Sequence, residues 1–448
     1  MSRYTSVTSQ DLREMLAAIG VGSLDELFAD IPESLRLDRP IDLPDGLSEQ
    51  EVFDELSRLA ARNRHAEDEI TFVGGGMYDH YVPAVVDTLV SRSEFLTPYT
   101  PYQPEVSQGG LQVMFEFQTA ISELTGLPVS NASVYEGPSA CAAAAYMAKL
   151  ETRRSRIVTS RGLHPHSRAA IRTHAAGYGM EVVETPLNGG GATDLDALAA
   201  AIDDDTAAVF VQQPNFLGTV EELGDLLATG KDRGALAVCA ADPLPLGILK
   251  PPGELGADIC VGEGQTLGNR LDFGGPSFGF FAAAERFIRR MPGRIAGETR
   301  DLDGRRGFVL TLQTREQHIR REKATHNICT AQALNALAGV VYLSWLGKRG
   351  LVEMAELMLR RTHYAREALG LPLINPGPVV REFAVRVPDL DDFMRRARAE
   401  GINPGYRLAR DYPEYEDGLL VAITERRTKD HIDRLAALSA RAREQVAA

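Results

Sequence analysis

The sequence contains little of what several classes of protein require. Its four cysteines, Cys141, Cys239, Cys260 and Cys329, include no Cys-x-x-Cys pair, which argues against a disulfide framework or a zinc site. No stretch approaches the ~18 consecutive apolar residues of a membrane span, and the first residues have no apolar signal-peptide core. A net charge of -14 offers no basic face for nucleic acid. We expect a cytoplasmic protein with reduced, buried thiols, no metal, and no membrane or nucleic-acid partner.

Lysine is also scarce, with six residues against 42 arginines. A lysine that is essential for covalent chemistry therefore has few possible positions. The lysines are Lys149, Lys231, Lys250, Lys323, Lys348 and Lys429. None of them directly precedes the glycine-rich stretch at residues 273–280.

The length of 448 residues exceeds the roughly 250–300 residues that a single core supports, so more than one domain is expected. Thr8 or Ser9 is a candidate cap for a helix that ends at Gly20, and residues 24–28 and 49–61 are also typical of helices. We predict an N-terminal helical arm over residues 1–95, a large α/β domain over 96–325 and a smaller α+β domain over 326–448.

Five near-continuous apolar segments alternate with helix-like segments rich in alanine and leucine. Strands without polar alternation that are separated by helices are typical of a largely parallel sheet covered on both faces. The segments are Ile157–Thr159, Glu181–Glu184, Ala207–Gln212, Ala235–Cys239 and Asp258–Val261. Later in the chain the sequence predicts helices over 331–345 and 351–369, strands over 379–386 and 418–423, and a last helix from residue 429.

Polar residues follow three of these strands, at the carboxyl edge where parallel sheets form ligand sites. Asp242 is either an acid for a ligand nitrogen or a turn acid before Pro243. Asn215 either donates to a ligand oxygen or belongs to an ordinary Pro-Asn turn. His164 either stacks on a ligand ring or is a surface or capping histidine.

A helix rich in small residues begins near Cys141. The start of such a helix presents backbone N–H groups that suit a phosphate. Here Pro138 removes one donor, and the carboxylate of Glu136 would repel an anion. We therefore expect an altered phosphate pocket.

Residues 99–108 form a stiff segment that contains Tyr99 and Tyr102 and lies among three closely spaced prolines, Pro98, Pro101 and Pro104. Prolines at this density suppress regular structure. The segment either lines a site or interface, or serves as a structural strap.

The order of features from Ala235 to Phe280 is similar to that of pyridoxal-phosphate enzymes with the aspartate-aminotransferase fold. In that fold an acid pairs with the pyridinium nitrogen, a lysine binds the cofactor covalently, and a backbone loop lies near the phosphate. Here Asp242 matches the acid and residues 273–280 match the loop, but the lysine position holds Gln265. An amide nitrogen is not nucleophilic enough to bond to the cofactor aldehyde. The chain alone is not expected to hold the cofactor covalently.

Longer segments over nearly the whole chain resemble the glycine cleavage system P-protein, glycine dehydrogenase (decarboxylating), and specifically the first of the two subunits into which many bacteria split it. The segments that carry the resemblance are Phe72–Val85, Tyr99–Gln108, Gln212–Gly218, Leu249–Asp258, Val261–Gln265 and Leu310–Thr325. The resemblance implies a fold type I (aspartate-aminotransferase-like) large domain with a smaller α+β domain.

The resemblance also implies a reaction and partners. Pyridoxal phosphate accepts electrons as carbon dioxide leaves glycine, and the aminomethyl group passes to the lipoyl arm of H-protein. The cofactor lysine belongs to a second subunit, whose segment reads His-Lys-Thr where this chain has Gly264-Gln265-Thr266. An α2β2 assembly is implied, in which Tyr99, Tyr102 and the Gly274-Gly275 loop reach across to the partner's site. Asp242, Asn215, His164 and Gln265 then form either an empty relic pocket of this chain, a packing core, or a pocket for another ligand.

Two alternatives remain open from the sequence. One is a self-sufficient pyridoxal-phosphate lyase that uses Lys250, the first lysine after Asp242. The other is a non-catalytic regulatory scaffold of the same fold.

Overall fold

The computed structural model describes residues 6–272, 277–324, 326, 328 and 331–447. The chain divides into two units, residues 1–64 and residues 65–448. The predicted division at residues 95 and 325 stays a prediction.

The smaller unit contains helices α1 (Ser9–Ile19) and α2 (Glu49–Ala60). Thr8 caps α1 by accepting a hydrogen bond from the backbone N–H of Asp11, and the helix ends at Gly20, whose φ of 88° is left-handed. The predicted bounds of α1 are therefore confirmed.

The larger unit contains eleven α-helices within the described residues. They are α3 (Ala84–Val90), α4 (Ser93–Leu96), α5 (Gln108–Thr125), α6 (Gly137–Thr152), α7 (Pro165–Tyr178), α8 (Leu195–Ala201), α9 (Leu223–Lys231), α10 (Gln317–Arg320), α11 (Ala333–Leu369), α12 (Leu390–Ala399) and α13 (Lys429–Ala447). Helix α11 joins the two predicted segments and is interrupted at Gly347, where φ is 61° and ψ is 179°. Across the described ranges, no helix combines the length and apolarity that a membrane crossing needs.

The described strands form one large sheet and three smaller ones. They are β1 (Ile70–Thr71), β2 (Val129–Ser130), β3 (Arg156–Ser160), β4 (Glu181–Thr185), β5 (Thr206–Gln213), β6 (Leu236–Ala241), β7 (Ile259–Glu263), β8 (Gly279–Ala283), β9 (Ile295–Arg300), β10 (Arg306–Thr311), β11 (Glu382–Arg386), β12 (Ile402–Asn403), β13 (Tyr406–Arg407) and β14 (Gly418–Ala422). The five strands predicted from apolar segments, β3 to β7, are confirmed.

The main sheet has the order β2-β8-β7-β6-β5-β3-β4. Strands β4, β3, β5, β6 and β7 are parallel, whereas β8 is antiparallel to β7 and β2. Along β5, Val209 and Val211 pack in the core with α5, α9 and α11, while Ala208 and Phe210 pack in the core with α6 and α7. Helices therefore cover both faces, as the lack of polar alternation predicts.

The C-terminal part of the larger unit contains the antiparallel sheet β11-β14-β13. Strand β1 pairs in parallel with β12 of this part. The segment after β1, residues 72–82, then contacts both the C-terminal strands and the carboxyl edge of the main sheet, because Phe72 accepts a hydrogen bond from Ala422 N and Tyr78 is bonded to Gln265. This crossing segment positions much of the candidate site.

Candidate cofactor-like site

A cavity of about 320 Å³ lies at the carboxyl ends of β5, β6 and β7. Asp242 and His164, two of the residues predicted from the sequence, line it. The full lining is Gly75, Gly76, Met77, Tyr78, Glu136, Gly137, Pro138, Cys141, His164, His166, Ser167, Gln212, Ala240, Ala241, Asp242, Gly262, Glu263, Thr266, Ser277 and Arg381. All six lysines are among the described residues, and none of them is in this lining.

Asp242, which follows β6, forms an ion pair with Arg381. The Arg381 side chain is 3% exposed, and its guanidinium carbon lies 3.4 Å from the centroid of the Tyr78 ring. Burial opposes the charge of Arg381, but the Asp242 carboxylate raises its pKa overall. The negative charge of Asp242 is therefore already balanced by Arg381 of the same chain.

The other side of Arg381 contacts His80 Nε2. The second ring nitrogen of His80, Nδ1, lies 2.6 Å from Glu425 Oε2. The pKa of Glu425 falls to about 2, because its contacts with His80 outweigh the opposing effect of burial. Asp242, Arg381, His80 and Glu425 thus form a continuous polar chain between the main sheet and the C-terminal part.

Gln265 is buried, with 1% exposure, and is not among the cavity-lining residues. Its Oε1 accepts a hydrogen bond of 2.9 Å from Tyr78 N, and its Nε2 donates to Tyr78 O at 3.1 Å and to Asn269 O at 2.8 Å. Both ends of the amide are satisfied by backbone groups. The position predicted for a lysine is thus occupied by a structural side chain.

His164 lines the cavity, but its ring is fixed by its own chain. The Nε2 atom is 2.8 Å from Gly75 O, and Nδ1 accepts a hydrogen bond of 3.1 Å from His166 N, so the proton belongs on Nε2. Burial lowers the pKa of His164 to about 4, which keeps the ring neutral. Gly76, with φ of +105°, lies so close that an added Cβ would be 2.7 Å from Nε2.

Asn215 lies outside the cavity lining. Its Nδ2 donates to Gly191 O at 2.8 Å and to Glu221 Oε1 at 2.7 Å, and its Oδ1 accepts from Leu217 N and Thr219 N. The amide is therefore committed to the turn after β5, which is the ordinary turn chemistry that the sequence left open. We leave Asn215 out of the site.

The start of α6 carries carboxylates where a phosphate would bind. Glu136 Oε1 accepts from Ser139 N at 3.1 Å, and Glu263 Oε2 accepts from Gly137 N at 3.0 Å. Glu263 was not recognised from the sequence. Burial raises its pKa, although three hydrogen bonds oppose that effect.

Tyr99 and Tyr102 lie on a different surface of the larger unit. Tyr99 is 72% exposed and lines a groove of about 620 Å³ together with Arg294 and residues of α4 and α5. Tyr102 is 43% exposed, and its hydroxyl accepts a hydrogen bond of 2.8 Å from Arg294 Nη2. Gly274 and Gly275 lie outside the described residues.

Lys250, the alternative lysine, is exposed and precedes β7 in a loop. It is not among the residues that line the 320 Å³ cavity. The geometry therefore gives no support to the Lys250 alternative.

Comparison with known proteins identifies the family. The sequence model of the glycine cleavage system P-protein matches residues 2–438. This chain belongs to that P-protein family. A probable glycine dehydrogenase (decarboxylating) subunit 1 from Carboxydothermus hydrogenoformans is 51% identical over 436 residues, covering 97% of this chain and 98% of that protein.

A solved P-protein structure agrees with this assignment. A glycine decarboxylase (P-protein) of the glycine cleavage system, in inhibitor-bound form, matches with a TM-score of 0.88 and 45% identity over 98% of this chain and 100% of that chain. A sphingosine-1-phosphate lyase from Burkholderia pseudomallei K96243 has a TM-score of 0.65 at 16% identity over 92% of this chain and 95% of that chain, and shows the fold alone. The predicted fold type I architecture is confirmed.

The cavity of this P-protein chain does not fit pyridoxal phosphate. Residue 265 is an amide, the acid after β6 is paired with Arg381, and carboxylates occupy the start of α6. Sequence reasoning missed Arg381, Tyr78 and Glu263. A charged residue inside the apolar segment 379–386 and a glutamate two residues before Gln265 were the available signals.

Proposed function

We propose that this chain is one half of a glycine dehydrogenase (decarboxylating) and is active only with a second, lysine-bearing subunit. The observation that carries the proposal is Gln265, whose amide binds the backbone of Tyr78 instead of offering an amine. The name of the Carboxydothermus relative, subunit 1, supports a divided enzyme. We further propose an α2β2 assembly in the cytoplasm.

In this proposal the partner subunit holds pyridoxal phosphate through its lysine. The bound cofactor supplies an electron sink for the loss of carbon dioxide from glycine. The complex then transfers the aminomethyl group to the lipoyl group of H-protein. The 320 Å³ cavity of this chain takes no part in these steps.

This chain contributes a surface to the partner's site. Tyr99 is exposed beside the groove that Arg294 also lines, and the prolines of the 98–104 segment limit its backbone freedom. A phenol hydroxyl on such a rigid support can orient a substrate carboxylate by hydrogen bonding. We propose Tyr99 and Tyr102, with the Gly274-Gly275 loop, as elements that reach the partner's cofactor.

Arg294 positions Tyr102 in this surface. It is 3% exposed, donates to the Tyr102 hydroxyl at 2.8 Å, and lies 3.5 Å from Glu316 Oε2. The Tyr102 hydroxyl also donates to Glu316 Oε2 at 3.4 Å. The Tyr102 hydroxyl is therefore engaged by two groups of its own chain, and the part of Tyr102 that is offered to the partner is its partly exposed ring.

The test is glycine–bicarbonate exchange with lipoylated H-protein. The assay uses this chain alone, the lysine-bearing subunit alone, and both together, with the absorbance of bound cofactor recorded in each. Exchange only in the mixture supports the proposal. Exchange by this chain alone would support the self-sufficient lyase that uses Lys250. If the lysine-bearing subunit is active alone and its rate is the same after this chain is added, the result would support a regulatory scaffold.

A further inference from the structure

The first turn of α6 has no free backbone donor for an anion. Gly137 N donates to Glu263 Oε2 at 3.0 Å and Ser139 N donates to Glu136 Oε1 at 3.1 Å. Ala140 N donates to the backbone oxygen of Glu136 at 3.0 Å, and Pro138 has no N–H. The donors that a helix start usually offers to a phosphate are therefore used within the chain.

Glu263 occupies a site built for an anion. Besides Gly137 N, its carboxylate accepts from Gln265 N at 3.0 Å and from the Ser277 hydroxyl. Three donors from three separate segments thus converge on one carboxylate. Glu136 adds a second negative charge to the same cavity wall.

We infer that the Glu263 carboxyl group takes the place of a ligand anion and closes this cavity to pyridoxal phosphate and to other phosphorylated ligands. A substitution of Gln265→Lys alone would therefore not create a second cofactor site. This inference rests on the proposed function, which assigns the cofactor to the partner subunit, and it deepens that function. The pocket of this chain then stays without the cofactor even when an amine is introduced at residue 265.

Two further features oppose cofactor binding after the Gln265→Lys substitution. Asp242 is paired with Arg381, so the carboxylate is not free for a pyridinium nitrogen. The side chain at 265 is also directed at the backbone oxygens of Tyr78 and Asn269 and not into the cavity, so a lysine there would have to leave this position to reach a ligand aldehyde.

The partner's His-Lys sequence could not simply be copied either. Gly264 packs so tightly that an added Cβ would lie 2.2 Å from the ring of Phe278. A histidine at 264 would require Phe278, which is fully buried, to move. The packing of this wall thus leaves no room for a side chain at position 264.

The first test uses the full-length chain alone and inorganic phosphate as the probe. Melting temperature is measured in phosphate and in chloride at equal ionic strength for wild type, Glu263→Ala and the isosteric control Glu263→Gln. We expect a phosphate-dependent rise only for Glu263→Ala, because it alone frees donors and space for the anion. A rise of the same size in wild type, or no rise in a folded Glu263→Ala, would overturn the inference.

The second test does not depend on the folding of Glu263→Ala. Gln265→Lys is combined with the lysine-bearing subunit, bound cofactor is counted, and borohydride-treated peptides that contain residue 265 are examined. We expect the cofactor content of the complex to equal that of the wild-type complex, with residue 265 unmodified. A doubled content with modification at 265 would overturn the inference. Exchange activity of the wild-type mixture tests the proposed function separately, and the phosphate test needs no partner.

Discussion

The side-chain amide of Gln265 pairs with the backbone of Tyr78 through two hydrogen bonds. Its oxygen accepts from Tyr78 N at 2.9 Å and its nitrogen donates to Tyr78 O at 3.1 Å. Gln118 makes the same pair of bonds to Ala296, at 2.8 and 3.0 Å. The glutamine at the lysine position therefore joins the 72–82 segment to the end of β7. The side chain at this position thus has a structural role.

Gln265→Ala should lower the free energy of unfolding by about 1–3 kcal/mol, because it leaves the buried N–H of Tyr78 without a partner and removes one of the two hydrogen bonds to the Tyr78 carbonyl. Denaturant unfolding of the full chain measures the change. Gln112→Ala is the matched control, since Gln112 is exposed and donates a hydrogen bond to Glu116 in its own helix, and a change within about 0.5 kcal/mol is expected there. Equal midpoints for the two variants would contradict the structural role of Gln265.

Arg381→Met should lower the free energy of unfolding by about 3–5 kcal/mol, because it leaves the Asp242 carboxylate without its buried partner. Adding Asp242→Asn to that variant should restore part of the loss, since the uncompensated charge is then removed. Arg349→Met provides the control, because Arg349 pairs with Glu353 on an exposed helix surface and such pairs contribute about 0–1 kcal/mol. If the double variant is less stable than Arg381→Met, the Asp242–Arg381 pair is not the main cause.

Glu382 should make stability depend on pH. Burial raises its pKa from the ordinary 4.5 to about 7, although Tyr78, Gly75 N and Arg381 favour the charged form, and Asp242 opposes it. Between these values the folded state keeps a proton that the unfolded state has released. The stabilising contribution is therefore complete below about pH 4.5 and is lost as pH rises to about 7, by about 3 kcal/mol in total.

Glu382→Gln removes this titration. The free energies of unfolding of Glu382→Gln and wild type are compared from pH 4 to 8. Relative to wild type, the variant should gain stability as pH rises from about 4.5 to about 7, and the two curves should run parallel outside that window. Comparing the two proteins cancels the contributions of other buried acids. Parallel curves over the whole range would show that Glu382 titrates normally in the folded chain.

Tyr99→Ala should leave the stability of this chain within about 0.5 kcal/mol of wild type, because the side chain is exposed. In the mixture with the lysine-bearing subunit it should reduce exchange by roughly tenfold or more, which corresponds to the loss of a contact of about 1.4 kcal/mol in the transition state. Tyr178→Ala, on α7 and also exposed, is the control. Equal exchange by the two variants would remove Tyr99 from the partner's site.

Most of the main sheet could be predicted because its signals are local. A strand such as β5 is apolar on both faces, since Val209 and Phe210 enter different cores, and Thr8 marks the start of α1 by capping it. The hairpin of β9 and β10 was not predicted, because its charged residues give no continuous apolar pattern. The glycine-rich stretch was predicted as a loop, but β8 already begins at Gly279.

The candidate site was predicted less completely, because its interactions join distant parts of the sequence. Asp242 and His164 could be placed at the cavity from the position of their strands alone. Their partners Arg381 and Gly75 come from the C-terminal part and from the crossing segment. No local sequence pattern predicts that the Glu263 carboxyl group accepts a hydrogen bond from Gly137 N, the first N–H of α6.

We propose that this chain supports a cofactor which it does not hold. The most direct measurement is borohydride reduction of the active mixture of the two subunits, followed by peptide mapping of the attached cofactor. We predict stoichiometric labelling of the lysine-bearing subunit and none of this chain. Stoichiometric labelling of a lysine in this chain, Lys250 included, would contradict it.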